Sequence, residues 1–170
     1  MNTRQGQPTV VIVGAGFGGL RLARALSSAP VKVILVDRRN YHLFQPLLYQ
    51  VATAGLSPGE IAHPVRAILR GQANLEFRLA EVQAVDFAAR QLRTPTGDIQ
   101  YDFLVLAIGS KTDYFGMHNL ARHSFGLKDI HEATAIRNHI LRQFELAAQE
   151  GDPTRRQAQL TFAVVGGGPT

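Results

Sequence analysis

The 170-residue chain contains no cysteine, which removes disulfides, thiol nucleophiles and zinc–thiolate sites from this segment. It has no run approaching the ~18 apolar residues of a bilayer-crossing helix. Its opening, "MNTRQGQPT", lacks the apolar centre of a secretory signal, so none is predicted. Lysine is scarce: only three of the 18 basic residues are Lys, and the arginines (Arg21, Arg24, Arg66 and Arg70 among them) are scattered without a dense block. The formal charge of +5 is therefore read as a solvated basic surface, and no nucleic-acid partner is expected. The six histidines show no grouping with carboxylates, so no metal site is expected.

What is present describes a globular chain: 45% hydrophobic and 18% charged residues exclude the profile of a disordered segment. The length suits one domain, or one domain and the start of another. "TVVIVGAG" is a continuous apolar run closed by glycine, the pattern of a strand buried on both faces. "FGGLRLARALSSAP" follows with helical spacing and is expected to run to Pro30, after which "VKVILVD" reads as a second buried strand. These make a strand–helix–strand unit with parallel strands.

Beyond an irregular stretch, Ser57, Pro58 and Glu60 supply the cap, first-turn proline and capping-box acid of a short helix. Pro64 should interrupt that helix or begin another, running to about Arg70. Leu75 to Asp86 and Gln91 to Tyr101 read as short strands of a small meander turned at "TGD", and "FLVLAIG" as a further buried strand. A helix over 130–150 is predicted, with Asp129 and Glu132 as capping box and Gly151 as C-terminal cap. "GDPTRRQAQ" reads as a polar connector to a terminal strand. One internal echo stands out: "VVIVGAGFGG" near the start and "FAVVGGGPT" at the end.

Gly14-Ala15-Gly16-Phe17-Gly18-Gly19 satisfies G-x-G-x-x-G. Gly14 permits the tight turn, Gly16 lets a pyrophosphate touch the backbone, and Gly19 lets helix and strand pack closely. The helix N-terminus adds free N–H groups and partial positive charge. Asp37 ends the next strand 21 residues after Gly16, where an acceptor for a ribose hydroxyl belongs. The context predicts a Rossmann-like dinucleotide site. Asp37 argues against a 2′-phosphate, and Arg38 and Arg39 soften that argument. The fingerprint does not separate FAD from NAD.

"VVIVGAGFGGL", "VDRRNYHLFQPLLYQVATAGLSPGEIAHPVR", "YDFLVLAIGSKTDYFG" and "VVGGGPT" together resemble the type II NADH dehydrogenases, flavoproteins of the two-dinucleotide-binding-domain superfamily. The resemblance runs from about Thr9 to Thr170, and "HLFQPLLYQVATAGL" is its most family-specific part. It implies an α/β fold: a parallel-sheet, Rossmann-like FAD-binding domain with a β-meander crossover, then the first strand of a second Rossmann domain. The implied boundaries are a tail over 1–8, an incomplete FAD domain over 9–157, and the start of an NADH domain over 158–170. The chain would then be an N-terminal fragment, inactive alone.

The resemblance also implies site residues. Gly14 through Gly19 would cradle the FAD pyrophosphate, Asp37 would hold the ribose, and Arg38 would lie by the adenine. Gln45, Pro46 and Leu47 match the segment approaching the flavin, and Val82 the position whose backbone meets the adenine. Ala107-Ile108-Gly109 matches the superfamily's "ATG" turn, with Ile108 replacing threonine. Gly166, Gly168 and Pro169 would begin the NADH phosphate loop. Electrons would pass from NADH as substrate through FAD to a membrane quinone, with no catalytic side chain identified in this segment. The implied setting is peripheral, on the cytoplasmic face of the inner membrane, held by a C-terminal part beyond Thr170, and compatible with a homodimer. Ferredoxin reductases and sulfide:quinone oxidoreductases are related alternatives, as is a non-catalytic FAD module. The missing cysteines argue against a thiol relay here and favour direct hydride transfer to flavin.

Overall fold

Runs that are apolar at every position need cover on both faces, and in the computed structural model, which describes residues 6–166, they find it. In chain order the first elements are β1 (Thr9–Val13), α1 (Phe17–Ala25), β2 (Lys32–Asp37), β3 (Tyr41–Leu43), a 3-10 turn (Gln45–Leu47), α2 (Leu48–Ala52) and α3 (Pro58–Ile61). Next come β4 (Ala62–Pro64), α4 (Val65–Ile68), β5 (Leu75–Leu79), β6 (Ala84–Asp86), β7 (Gln91–Arg93), β8 (Ile99–Gln100) and β9 (Phe103–Leu106). The last are α5 (His118–His123), α6 (Ile130–Gln149) and α7 (Pro153–Gln159). Two compact units result: one runs to Leu43 and resumes over Ala62–Ser110, the other takes Phe44–Ile61 and the residues from Lys111 onward.

The first unit is built on a four-stranded sheet in the order β5-β2-β1-β9, with every neighbouring pair parallel. Period-two alternation splits its side chains between two cores. Val10, Ile12, Val33 and Leu35 meet Leu20 and Ala23 of α1 and Val65 of α4. Val11, Val13, Ile34 and Val36 meet Leu92, Ile99 and Tyr101 of an antiparallel meander, β6-β7-β8. The result is a helix layer, a parallel sheet and a small antiparallel sheet stacked in that order, burying both faces of β1 and β2. A short β3–β4 pair, Tyr41↔Pro64 to Leu43↔Ala62, was not anticipated from the sequence.

Several expected elements differ. Helix α1 ends at Ala25, five residues before Pro30. Its end is tied to a distant loop: Gln72 Nε2 donates to Ala23 O at 2.8 Å and Asn74 Nδ2 to Leu26 O at 2.8 Å, the same amide also reaching Val31 O, beyond the helix, at 3.1 Å. Those amides supply the partners that a further helical turn would have supplied. The 75–86 stretch divides, β5 joining the parallel sheet and β6 the meander. The "TGD" turn lies inside 91–101, where Thr94 Oγ1 donates to Gly97 O at 2.5 Å and Gly97 has φ +120°. A new helix does begin after Pro64, but ends at Ile68.

In the second unit, α6 packs against α2 and α7. Asp129 caps α6, accepting from Glu132 N at 3.0 Å, while Glu132 Oε2 accepts from Lys128 N at 2.6 Å. Glu150 forms its C-terminal cap in extended conformation, replacing the expected Gly151. Of the expected Ser57–Glu60 capping box only the acid's arm is seen: Ser57 N donates to Glu60 Oε2 at 2.6 Å, while Glu60 N donates to the Ser57 backbone carbonyl at 3.1 Å. The bond from Ser57 N holds the Glu60 carboxyl below the usual carboxylate range. The supposed polar connector is helical; Asp152 caps α7 by accepting from Thr154 N at 2.8 Å, with Pro153 in its first turn. The expected terminal strand does not form, and Val164 and Val165 are 89% and 75% exposed. A strand exists only through its ladder, and this run pairs with no other among the described residues.

Candidate nucleotide-binding site

The fingerprint residues Gly14, Ala15, Gly16, Phe17, Gly18 and Gly19 form the turn between β1 and α1, at the carboxyl end of the parallel sheet. Gly14 has φ +107°, a left-handed conformation open to glycine. A Cβ there would also lie 2.2 Å from Ala107 O, because β9 delivers Ala107 against the turn and Ala107 N donates to Val13 O at 2.8 Å. A Cβ on Gly19 would lie 1.8 Å from Gly14 O and 3.4 Å from Ile12 Cγ2. Both glycines are thus required by protein–protein approach.

Gly16 differs. Its φ is −74°, acceptable to any residue, and an added Cβ would meet nothing within 4 Å. Nothing in the fold demands glycine at that point. Gly16 is the N-cap of α1, is exposed, and caps the helix with no side-chain bond. The helix therefore offers backbone donors and its positive end to an external anion.

Asp37 ends β2 beside this turn. Its Oδ2 accepts from Ala15 N at 2.6 Å and its Oδ1 from Arg39 N at 2.8 Å. Each carboxylate oxygen keeps acceptor capacity after one bond. The carboxylate is therefore a structural staple of the loop, a role the sequence did not suggest. His42, from β3, holds the other side of the same residue: its Nδ1 lies 3.0 Å from Ala15 O. Its ring meets Phe17 edge-on, with centroids 4.9 Å apart. Only long-range contact reveals this histidine, and no local spacing marks it.

The remaining expected residues are more dispersed. Arg38 is exposed. Val82 lies in an irregular link between β5 and β6, outside any strand, and packs on the meander-side core. Gly109 follows β9 with φ +70° and open space around it, and Ile108 is 71% exposed. Gln45, Pro46 and Leu47 form the 3-10 turn of the second unit, where Gln45 Nε2 donates to Lys128 O at 3.2 Å. Gly166 has φ +93° and is exposed; Gly168 and Pro169 lie outside the described residues. Among the described residues no group of three or more potential ligands could hold a metal ion, and no helix is long and apolar enough to cross a membrane.

A parallel sheet with a glycine turn at the carboxyl end of its central strand, and an acid at the end of the next, defines a Rossmann-like nucleotide-binding α/β protein. The chain belongs to the pyridine nucleotide-disulphide oxidoreductase family, whose pattern it matches over residues 8–170. It is 46% identical over 165 residues to the type II NADH:quinone oxidoreductase Ndh of Mycobacterium tuberculosis, covering 95% of this chain and 36% of that one. Among solved structures, the sulfide:quinone oxidoreductase of Aquifex aeolicus superposes with a TM-score of 0.74 at 26% identity, over 81% of this chain and 32% of that chain. The NDH2 of Plasmodium falciparum, solved with NADH, gives 0.77 at 24% identity, over 89% and 32%. The chain spans about a third of the length of these relatives.

Proposed function

We propose that this chain supplies the FAD-binding part of an NADH:quinone oxidoreductase, which takes electrons from NADH and delivers them through FAD to a membrane quinone. The observation that carries the reading is the contrast among the three glycines. Gly14 and Gly19 are closed against protein atoms, whereas Gly16 faces open space at the start of α1. A pyrophosphate explains a glycine that the fold itself does not need. The identity to the mycobacterial NADH:quinone oxidoreductase supports the same chemistry.

In this reading the Gly14–Gly19 backbone holds the pyrophosphate and the spare lone pairs of Asp37 accept a ribose hydroxyl. Arg38 and the Val82 backbone lie toward the adenine. Ala107 and Gly109 border the cofactor, and Gln45, Pro46 and Leu47 serve its flavin end. Gly166, Gly168 and Pro169 begin the NADH phosphate loop, with residues 9–157 forming the FAD domain and 158–170 opening the NADH domain. Bound FAD supplies two-electron acceptance from a hydride donor; the protein's part is to hold and orient it. Residues beyond Thr170 would provide peripheral attachment to the cytoplasmic face of the inner membrane, and a homodimer is compatible with this arrangement.

The test is NADH oxidation by the full-length protein with a soluble quinone analogue. Turnover with FAD bound is expected, and bound FAD without turnover would refute the enzyme reading. The fold likeness to a sulfide:quinone oxidoreductase favours a second reading, a sister FAD-dependent reductase. Sulfide in place of NADH as the effective donor would select it.

A further inference from the structure

Ala15 is held on both sides, and the second hold has a directional consequence. Ala15 O can only accept, so the 3.0 Å contact with His42 requires the proton on Nδ1. The described chain has no cis peptide, so across the planar Ala15–Gly16 bond the carbonyl and the following N–H point in opposite directions. A carbonyl turned toward His42 turns the Gly16 N–H away from it, on a residue that is exposed and has open space around it. Glycine at position 16 leaves that peptide free to rotate, which gives a fixed partner something to prevent. The partner is itself fixed: β3 pairs with β4 through His42↔His63, and Phe17 packs edge-on against the imidazole.

We propose that His42, as its Nδ1–H tautomer, is a positioning residue that orients the Ala15–Gly16 peptide so that the Gly16 N–H meets the phosphate of a bound dinucleotide. The proposal rests on the FAD reading above and adds to it a residue outside the fingerprint. Asp37 fixes the preceding peptide through Ala15 N–H, so the two side chains set successive peptides of the loop from opposite sides. The loop is thereby organised before ligand arrives, which lowers the ordering cost of binding.

The test uses the full-length protein, stripped of flavin and titrated with FAD. His42→Phe keeps an aromatic ring beside Phe17 but loses the donor, and FAD dissociation is expected to rise about tenfold, the equivalent of one net hydrogen bond. His42→Asn places an amide N–H where Nδ1 stood and should recover most of that loss, whereas a purely space-filling role predicts the reverse order. Wild-type affinity in the Phe variant, or no recovery in the Asn variant, would overturn the proposal. A long-range proton–nitrogen NMR spectrum of the flavin-free protein gives an independent readout: Nδ1–H is expected, and Nε2–H would overturn the proposal. That spectrum is decisive even if the wild-type protein fails to bind FAD, an outcome that would instead refute the cofactor reading.

Discussion

Asp37 Oδ2 accepts a hydrogen bond from Ala15 N at 2.6 Å, joining the end of β2 to the glycine turn that follows β1. The acid placed by sequence spacing as a ribose acceptor is therefore also part of the loop's own scaffold. On the proposed FAD reading Asp37→Ala should act twice: it deletes the proposed ribose acceptor, and it frees the Ala15 N–H and the Arg39 N–H. The expected loss of FAD affinity is on the order of 1–3 kcal/mol, accompanied by about 1 kcal/mol of lost stability in the flavin-free protein. Flavin titration and urea unfolding of the same variant separate the two effects. Unchanged stability with weakened binding would assign Asp37 to the ligand alone.

The glycines permit a sharper separation of folding from binding. Gly19→Ala forces a Cβ to within 1.8 Å of the Gly14 carbonyl oxygen, a backbone atom that cannot swing aside. This variant should lose several kcal/mol or fail to fold, as overpacked backbone contacts do. At Gly16 the added Cβ of a valine meets no protein atom within 4 Å and φ is permissive. Gly16→Val should still fold, with a loss limited to about 1 kcal/mol for the poorer N-cap, yet hold no flavin. A Gly16→Val protein that purifies yellow would move the pyrophosphate elsewhere.

How much of this was legible follows from the range of the interactions. The parallel core and the close-approach roles of Gly14 and Gly19 were legible because each rests on local patterning: unbroken apolar runs in β1 and β2, and fixed glycine spacing. The Asp129 cap and the Glu60 bond back to Ser57 N were legible for the same reason. Asn74 closing the end of α1 was not, since its partners Leu26 and Val31 lie more than 40 residues away. His42 escaped likewise; its contact with Ala15 spans 27 residues and depends on the β3–β4 pair. The terminal apolar run shows the converse error, because hydrophobicity indicates a strand but does not supply its neighbour. Helix α7 was a different omission. The signal was local, Asp152 before Pro153, and the polar composition of the segment obscured it.

That overlooked cap gives its own prediction. Asp152 accepts from Thr154 N at 2.8 Å and from Arg155 N at 3.4 Å, satisfying two of the free donors of α7. Asp152→Ala should destabilise α7 by about 1 kcal/mol, and Asp152→Ser by much less. Amide exchange over 153–159 is the appropriate measurement, because the change should be local to that helix. Equal exchange in the Ala and Ser variants would show that the cap does not hold α7.

Glu76 on β5 provides the pH dependence. Arg78 Nε donates to its Oε1 at 2.6 Å and Lys32 Nζ lies 3.2 Å from its Oε2. The Arg78 bond, chiefly, and Lys32 hold the carboxyl below its ordinary value of 4.5, against a smaller opposing effect of burial. A depressed folded value means the contribution to stability is present above about pH 4.5 and is lost as pH falls through the lowered value. Its side chain is 42% exposed, so solvent screening keeps the contribution within about 1 kcal/mol. Glu76→Gln should therefore be slightly less stable than the wild type in urea at about pH 7, and the gap should close as pH falls through the lowered value and the wild-type carboxyl protonates. High salt should narrow the gap at neutral pH by screening the same pairs. A gap that persists unchanged in acid would mean that Glu76 acts through packing along β5 and not through charge.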